Sequence, residues 1–175
     1  VALRYGLQPA KVACPDFECD AEPDDAETGK KAEKFWRQVD DFVSPATAGE
    51  NAVDALTLHW YNTKSHAAGI EASALSPWRL DRFSEVFRRF HDAAASDWRG
   101  EVWAGETAEV QEGGKDGVSN AWSSSLWLYD QLGQQGEVGV ARMLRECIAC
   151  SHYNMLDDVR LEPQPDFFTT VLWRR

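Results

Sequence analysis

With 175 residues and a formal net charge of −11, the chain is long enough for one domain with a real core, and its charge argues against a nucleic-acid backbone as partner. No apolar run reaches the ~18 residues of a membrane span, and much of the excess acid is a local run over residues 16–27 rather than a field over the whole surface. The chain starts at Val1 with neither an initiator Met nor a signal peptide, so it is expected to be less than a complete primary translation product.

In chain order, residues 11–16 (Lys-Val-Ala-Cys-Pro-Asp) read as a short buried strand stopped by Pro15. Asp16, at its end, reads as a structural residue or a distant polar contact. Residues 21–31 are an acidic, solvated loop. Residues 30–43 predict a helix, because Phe35, Trp36, Val39, Phe42 and Val43 share one face; Ser44-Pro45 should end it. Residues 53–61 are the clearest strand, with His59, Trp60 and Tyr61 clustered at its end. Residues 77–95 predict an amphipathic helix with Leu80, Phe83, Phe87 and Phe90 as its buried stripe.

Residues 102–107 (Val-Trp-Ala-Gly-Glu-Thr) form a short apolar run that ends in a lone acid. Val102, Trp103 and Ala104 favour a buried strand, Gly105 frees the backbone, and Glu106 arrives at the strand's carboxyl end, where α/β barrels do their chemistry. From the residues alone Glu106 has two readings: a nucleophile or acid/base group, or an ordinary strand-end carboxylate paired with a Lys or Arg. Residues 119–132 predict a helix with Trp122, Leu126, Tyr129 and Leu132 on its stripe and Gly133 as its stop. Residues 137–145 suggest a short helical or mixed segment, residues 147–155 a fourth strand, and residues 167–174 a last apolar helix.

Cys147-x-x-Cys150 has the spacing of half a zinc site, but on a strand residues three apart point to opposite faces, so free buried thiols and no metal are expected. A Cys14–Cys19 disulfide is expected only if the protein is secreted.

Strands alternating with helices argue for a parallel sheet. Four βα units are half of an eightfold barrel and leave two sheet edges unpaired. The chain is therefore either a small open α/β domain or one piece of something larger.

Several stretches resemble the heparanase-type glycoside hydrolases, more in the manner of the plant members than of the animal enzyme. Trp103-Ala104-Gly105-Glu106-Thr107 resembles the strand that carries that family's nucleophile. Residues 53–61 resemble its preceding barrel strand, with the His and the Tyr at the active-site end, and Trp127-Leu128-Tyr129-Asp130-Gln131-Leu132-Gly133 resembles the next helix. Arg145, Tyr153 and Leu156 fall along its final strand, Arg145 at the start of that strand and away from the active face. Pro163-Gln164-Pro165-Asp166-Phe167-Phe168 is similar to its ending. The resemblance implies a (β/α)8 TIM barrel of which residues 1–175 supply the C-terminal half, strands five to eight, with the N-terminal half and a following β-sandwich domain outside the chain.

The resemblance implies a retaining glycosidase acting on glucuronide-bearing glycans or glycosides, with Glu106 as nucleophile and no cofactor. His59 and Tyr61 are expected to orient Glu106 or touch the sugar, or simply to pack at the barrel top. Trp60 is either a sugar-stacking platform or a core residue, and Tyr153, expected at a strand end, either binds the substrate or packs there. The family's Gly-rich loop, whose backbone amides hold a substrate carboxylate, survives as Gly113-Gly114; Glu109 and Glu112 beside it would oppose such a substrate by like charge. The family's general acid lies in an Asn-Glu-Pro sequence that does not occur here, so the acid must come from outside this chain. The implied partners are the glycan and the rest of the barrel or another chain, and the implied location is extracellular or endomembrane. The rival reading is a non-catalytic, degenerate hydrolase fragment that serves as a structural or glycan-binding part of a larger assembly.

Overall fold

A computed structural model describes residues 11–18, 26–50 and 52–174. Four strands, β1 (Ala13–Glu18), β2 (Ala55–Thr63), β3 (Glu101–Val110) and β4 (Val140–Arg145), form one sheet in the order β1-β2-β3-β4. All three pairings are parallel. The helices between them are α1 (Ala26–Thr47), the single turn α2 (Ile70–Ser73), α3 (Pro77–Asp92) and α4 (Trp122–Val138); α5 (Pro165–Trp173) closes the chain.

The alternation along β2 decides the layers. Leu56, Leu58 and Trp60 point to the helices and join Val39 and Val43 of α1 and Phe83, Phe87 and Phe90 of α3 in one buried core. Thr57, His59 and Tyr61 take the opposite face, as period-2 alternation requires. Trp60 is 3% exposed and meets Phe83 edge-on at 6.2 Å. It is a core tryptophan, on the wrong side of the sheet for a sugar.

Several sequence expectations are corrected. The chain runs on through Pro15, and β1 ends at Glu18. Helix α1 starts at Ala26, inside the stretch read as loop, and continues through Pro45 to Thr47, where the Thr47 hydroxyl donates back to the Val43 carbonyl at 2.8 Å. Helix α4 passes through Gly133 and Gly136 to Val138; its left-handed stop is Gly139, at φ 75°. The stripe expected to be buried is misphased. Trp127, Leu128 and Gln131 are buried, whereas Trp122, Leu126 and Tyr129 lie outside, partly covered by α5 through the Trp122–Phe168 and Tyr129–Trp173 contacts.

The fourth strand is residues 140–145, not 147–155. β4 bonds only to β3 among the described strands and is half-exposed, so its polar residues are tolerated and its signal is not a continuous apolar run. Residues 147–155 form a loop closed by a Cys147–Cys150 disulfide, with the Cα atoms 5.9 Å apart. The pair is therefore not free thiols, nor the two thiolates a zinc site needs. Cys14 forms no disulfide among the described residues, and its expected partner Cys19 lies outside them.

Candidate active site

The site is built by two bulges at one level of the sheet. Leu58 of β2 faces Ala104 of β3, but the next pair is His59 with Glu106, so Gly105 is the extra residue. A bulge re-aims the side chains that follow it. Ala104 points to the helices, and strict alternation would send Glu106 there too; the bulge turns Glu106 onto the face of His59 and Tyr61. On the other side of β2, Pro15 pairs with Thr57 and Phe17 with Leu58, which leaves Asp16 as the extra residue of β1. Asp16 sits at φ 62°, a left-handed conformation that Asp and Asn tolerate better than other side chains.

Five side chains meet there. The Tyr61 hydroxyl donates to Oε1 of Glu106. His59 Nδ1 lies 3.6 Å from the same oxygen. The other ring nitrogen, Nε2, is 2.8 Å from Oδ2 of Asp16, and the Thr57 hydroxyl donates to Oδ1 of Asp16 at 2.6 Å. Both oxygens of Asp16 are engaged, although its side chain is the more exposed of the two acids (49% against 35%), whereas Glu106 has only Oε1 engaged among the described residues. Burial, followed by the Glu106 bond and charge, pushes the Tyr61 hydroxyl well above the ordinary tyrosine range, so it remains a proton-bearing donor to the carboxylate.

Gly105 has a second reason to be glycine. A Cβ there would lie 2.3 Å from Asp16 Oδ1 and 3.1 Å from Thr57 Cβ. The missing side chain is the space in which the Asp16 carboxylate rests.

Tyr153 joins from the loop after β4 rather than from a strand end. It is 3% exposed, packs with Ala108 and Cys147, and its ring centroid is 6.5 Å from that of Tyr61. Asn154 ties its loop by accepting from the backbone nitrogens of Cys150 and Ser151 at 2.7 and 2.6 Å. Gly113 stands at φ 83° in the loop after β3, and its carbonyl accepts from the His152 backbone nitrogen at 2.9 Å. Glu112, at φ 62°, takes a conformation that suits glycine and turns its carboxylate away to Ser65 and His66, at 2.6 and 3.2 Å.

Two residues lie where the sequence reading did not put them. Arg145 is the last residue of β4, at the same end of the sheet as the site, and is almost fully buried. Its Nη2 donates to the Tyr153 carbonyl at 2.6 Å and to Asp166 at 2.8 Å. It therefore positions Tyr153 from below. Glu109 does not flank the glycine loop. It is fully buried on the helix side of β3, and neither of its carboxylate oxygens has a hydrogen-bond partner among the described residues.

Burial, with the Asp166 charge second, raises the Glu109 carboxyl to about 8; Ser124 and Arg145 offset only part of this. An acid whose folded-state value is raised holds a proton that the unfolded chain releases. Stability therefore falls as pH rises from the unfolded value near 4.5 to about 8. Glu109→Gln removes that slope. In urea unfolding at pH 5, 6, 7 and 8, the variant should gain on the parent steadily, by up to about 1.4 kcal/mol per pH unit. A difference that does not change with pH would refute a neutral Glu109.

Residues 33–133, more than half of the chain, match the family model for the glycosyl hydrolase family 79 N-terminal domain. Heparanase-like protein 3 of Arabidopsis thaliana is 27% identical over 143 residues, 79% of this chain and 26% of that protein. Mouse (Mus musculus) heparanase is 28% identical over 130 residues, 73% of this chain and 24% of that protein. The chain thus spans about a quarter of the length of these relatives. In structure it is similar to a 4-O-α-L-rhamnosyl-β-D-glucuronidase from Fusarium oxysporum, with a TM-score of 0.56 and 20% identity, covering 70% of this chain and 26% of that one. That likeness carries the fold: an α/β architecture with a parallel sheet, as in part of a glycosidase barrel.

Proposed function

Because the chain belongs to glycosyl hydrolase family 79, we propose that it is the nucleophile-bearing half of a retaining glucuronidase barrel, with its four strands as strands five to eight. The observation that carries this reading is the Tyr61 hydroxyl donating to Glu106, a part-exposed carboxylate just past the bulge of a parallel strand. Relatives whose names state heparanase and glucuronidase activity support the glucuronide.

In the proposed reaction Glu106 attacks the anomeric carbon through an oxocarbenium-like transition state and forms a glycosyl ester, which water then hydrolyses. The Tyr61 donor holds the carboxylate oxygen in place until attack. Such a mechanism needs a second carboxyl ~5–5.5 Å from the nucleophile. Asp16 is committed to Thr57 and His59, so the acid/base comes from the remaining part of the barrel or another chain. Gly113 is the candidate to meet the glycone, Tyr153 backs Tyr61 from a buried position, and the turned-away Glu112 leaves room for a substrate carboxylate. The Cys147–Cys150 disulfide favours an oxidising location, extracellular or endomembrane. No described helix is long and apolar enough to cross a membrane.

The test is trapping. A 2-fluoro-glucuronide with an activated leaving group slows breakdown of the ester, so the full-length protein should gain the mass of one fluoroglucuronyl group on the peptide containing Glu106. Labelling of a different acid would move the nucleophile. No label and no turnover of any aryl glucuronide would favour the non-catalytic, glycan-binding reading.

A further inference from the structure

We infer that the Cys147–Cys150 disulfide is a positioning clamp for the candidate active site: closed, it holds Tyr153 against Tyr61, and through Tyr61 it steadies the Glu106 carboxylate. Its effect on turnover rests on the reading of Glu106 as nucleophile; the clamp itself rests on the geometry of the loop.

The loop after β4 is held unevenly. Its second half is pinned by hydrogen bonds. Arg145 Nη2 donates to the Tyr153 carbonyl at 2.6 Å, and the His152 amide donates to the Gly113 carbonyl at 2.9 Å. Asn154, itself buried, accepts from the amides of Cys150 and Ser151. The turn before it has little burial to fix it: Ile148 is 67% exposed, and Cys150 is exposed too. The Leu156 amide donates to the Ile148 carbonyl at 2.9 Å, and the covalent tie is the bond between the two sulfurs.

The two sulfurs have different surroundings. Cys147 is buried and packs with Tyr153 and Ala108, and Tyr61 packs against the same cluster. The disulfide therefore joins the exposed turn to the floor on which the Tyr153 ring rests. A ring closed over two intervening residues removes less chain entropy from the unfolded state than a long loop does, so its main effect is local. A carboxylate oxygen of Glu146 and both sulfurs lie within 4.8 Å of one another. Negative charge there disfavours either thiolate, the form that exchange needs, so the pair rests closed.

The experiment opens the bond in the full-length protein with dithiothreitol. One thiolate of the reagent attacks the exposed Cys150 sulfur; the S–S electron pair leaves on the Cys147 sulfur, which takes up a proton. The second thiol of the reagent then displaces Cys150, so the dithiol is oxidised to a cyclic disulfide and two cysteine thiols remain. Turnover of an aryl glucuronide should fall about tenfold in kcat, less than the about 10²-fold that a 1 Å misplacement can cost. KM should stay within about threefold, because what is lost is the setting of the nucleophile rather than uniform binding. Reoxidation should restore the rate. Cys150→Ser keeps the contact of Cys147 with Tyr153, and should show the same loss with no further response to dithiothreitol. A 3-fluorotyrosine placed at position 153 should shift its ¹⁹F signal on reduction and in Cys150→Ser, while far-UV circular dichroism stays unchanged.

A kcat of Cys150→Ser equal to that of the parent would overturn the clamp, and so would a fluorine signal that does not move. An equal loss under dithiothreitol in parent and variant would place the sensitive bond elsewhere and overturn it as well. A parent without glycosidase activity would remove the nucleophile reading, and the fluorine signal alone would then decide whether the disulfide holds Tyr153.

Discussion

Glu106→Gln should cut turnover of an aryl glucuronide by the full-length protein by at least about 10³-fold, the scale on which loss of a covalent nucleophile is felt, while thermal unfolding stays where it was. The two halves of this expectation have separate physical grounds. Gln keeps the volume and the carbonyl oxygen of Glu, so the Tyr61 hydroxyl retains its acceptor. The side chain is 35% exposed, so no buried charge is stranded. What is lost is the ability to form an ester with the anomeric carbon. An aryl leaving group departs with little help from an acid, so the loss reports on the nucleophile rather than on the acid/base outside this chain. A variant retaining more than about a tenth of the parent rate would end the assignment.

Much of this site follows from spacing alone. A short apolar run, a glycine and an acid predict a strand that delivers Glu106 at its carboxyl end; β3 carries Glu106 but runs four residues past it to Val110, and it is the bulge at Gly105 that turns Glu106 onto the site. His59 and Tyr61 are two apart and must share a face; Trp60 between them must take the other, which is where the core holds it. The same parity separates Glu109 from Glu106. What spacing cannot show is pairing across distance. Asp16 meets His59 from 43 residues away, through a bulge that no local pattern announces, and the one trace of it is a glycine where a strand would favour a side chain.

Strand β4 is lost for a different reason. Val-Ala-Arg-Met-Leu-Arg alternates poorly because the strand is only partly covered, and Arg145 is buried by an ion pair rather than by apolar neighbours. The misphased stripe of α4 has a related cause. Its buried face is built on Gln131, Gln134, Ser124 and Ser125 as well as Trp127 and Leu128, while its exposed aromatics meet α5.

That buried polar layer leads to the other large effect. Asp166→Ala should destabilise the fold in urea unfolding, but by less than the ~3–5 kcal/mol that a fully stranded charge of a buried pair costs, because a second buried acid, Glu109, also faces the guanidinium. The Asp166 carboxylate is 2% exposed and accepts from Arg145 Nη2 at 2.8 Å and from the hydroxyls of Ser124 and Ser125. Burial pushes the Asp166 carboxyl up and the Arg145 guanidinium down, so each is held charged mainly by the other. Removing Asp166 also removes the negative charge that helps to keep Glu109 protonated. Glu109 is then free to ionise and become the counter-ion of Arg145, whose Nε and Nη1 have no hydrogen-bond partner among the described residues. The double variant therefore decides the matter. Glu109→Gln, stabilising at pH 8 in the parent, should become destabilising in the Asp166→Ala background, because no anion would then face the guanidinium. A double-mutant cycle with additive effects would show that the two acids do not share Arg145. A cycle in which the sign reverses would place both acids in one charge system, beneath the loop that holds Tyr153 against Tyr61.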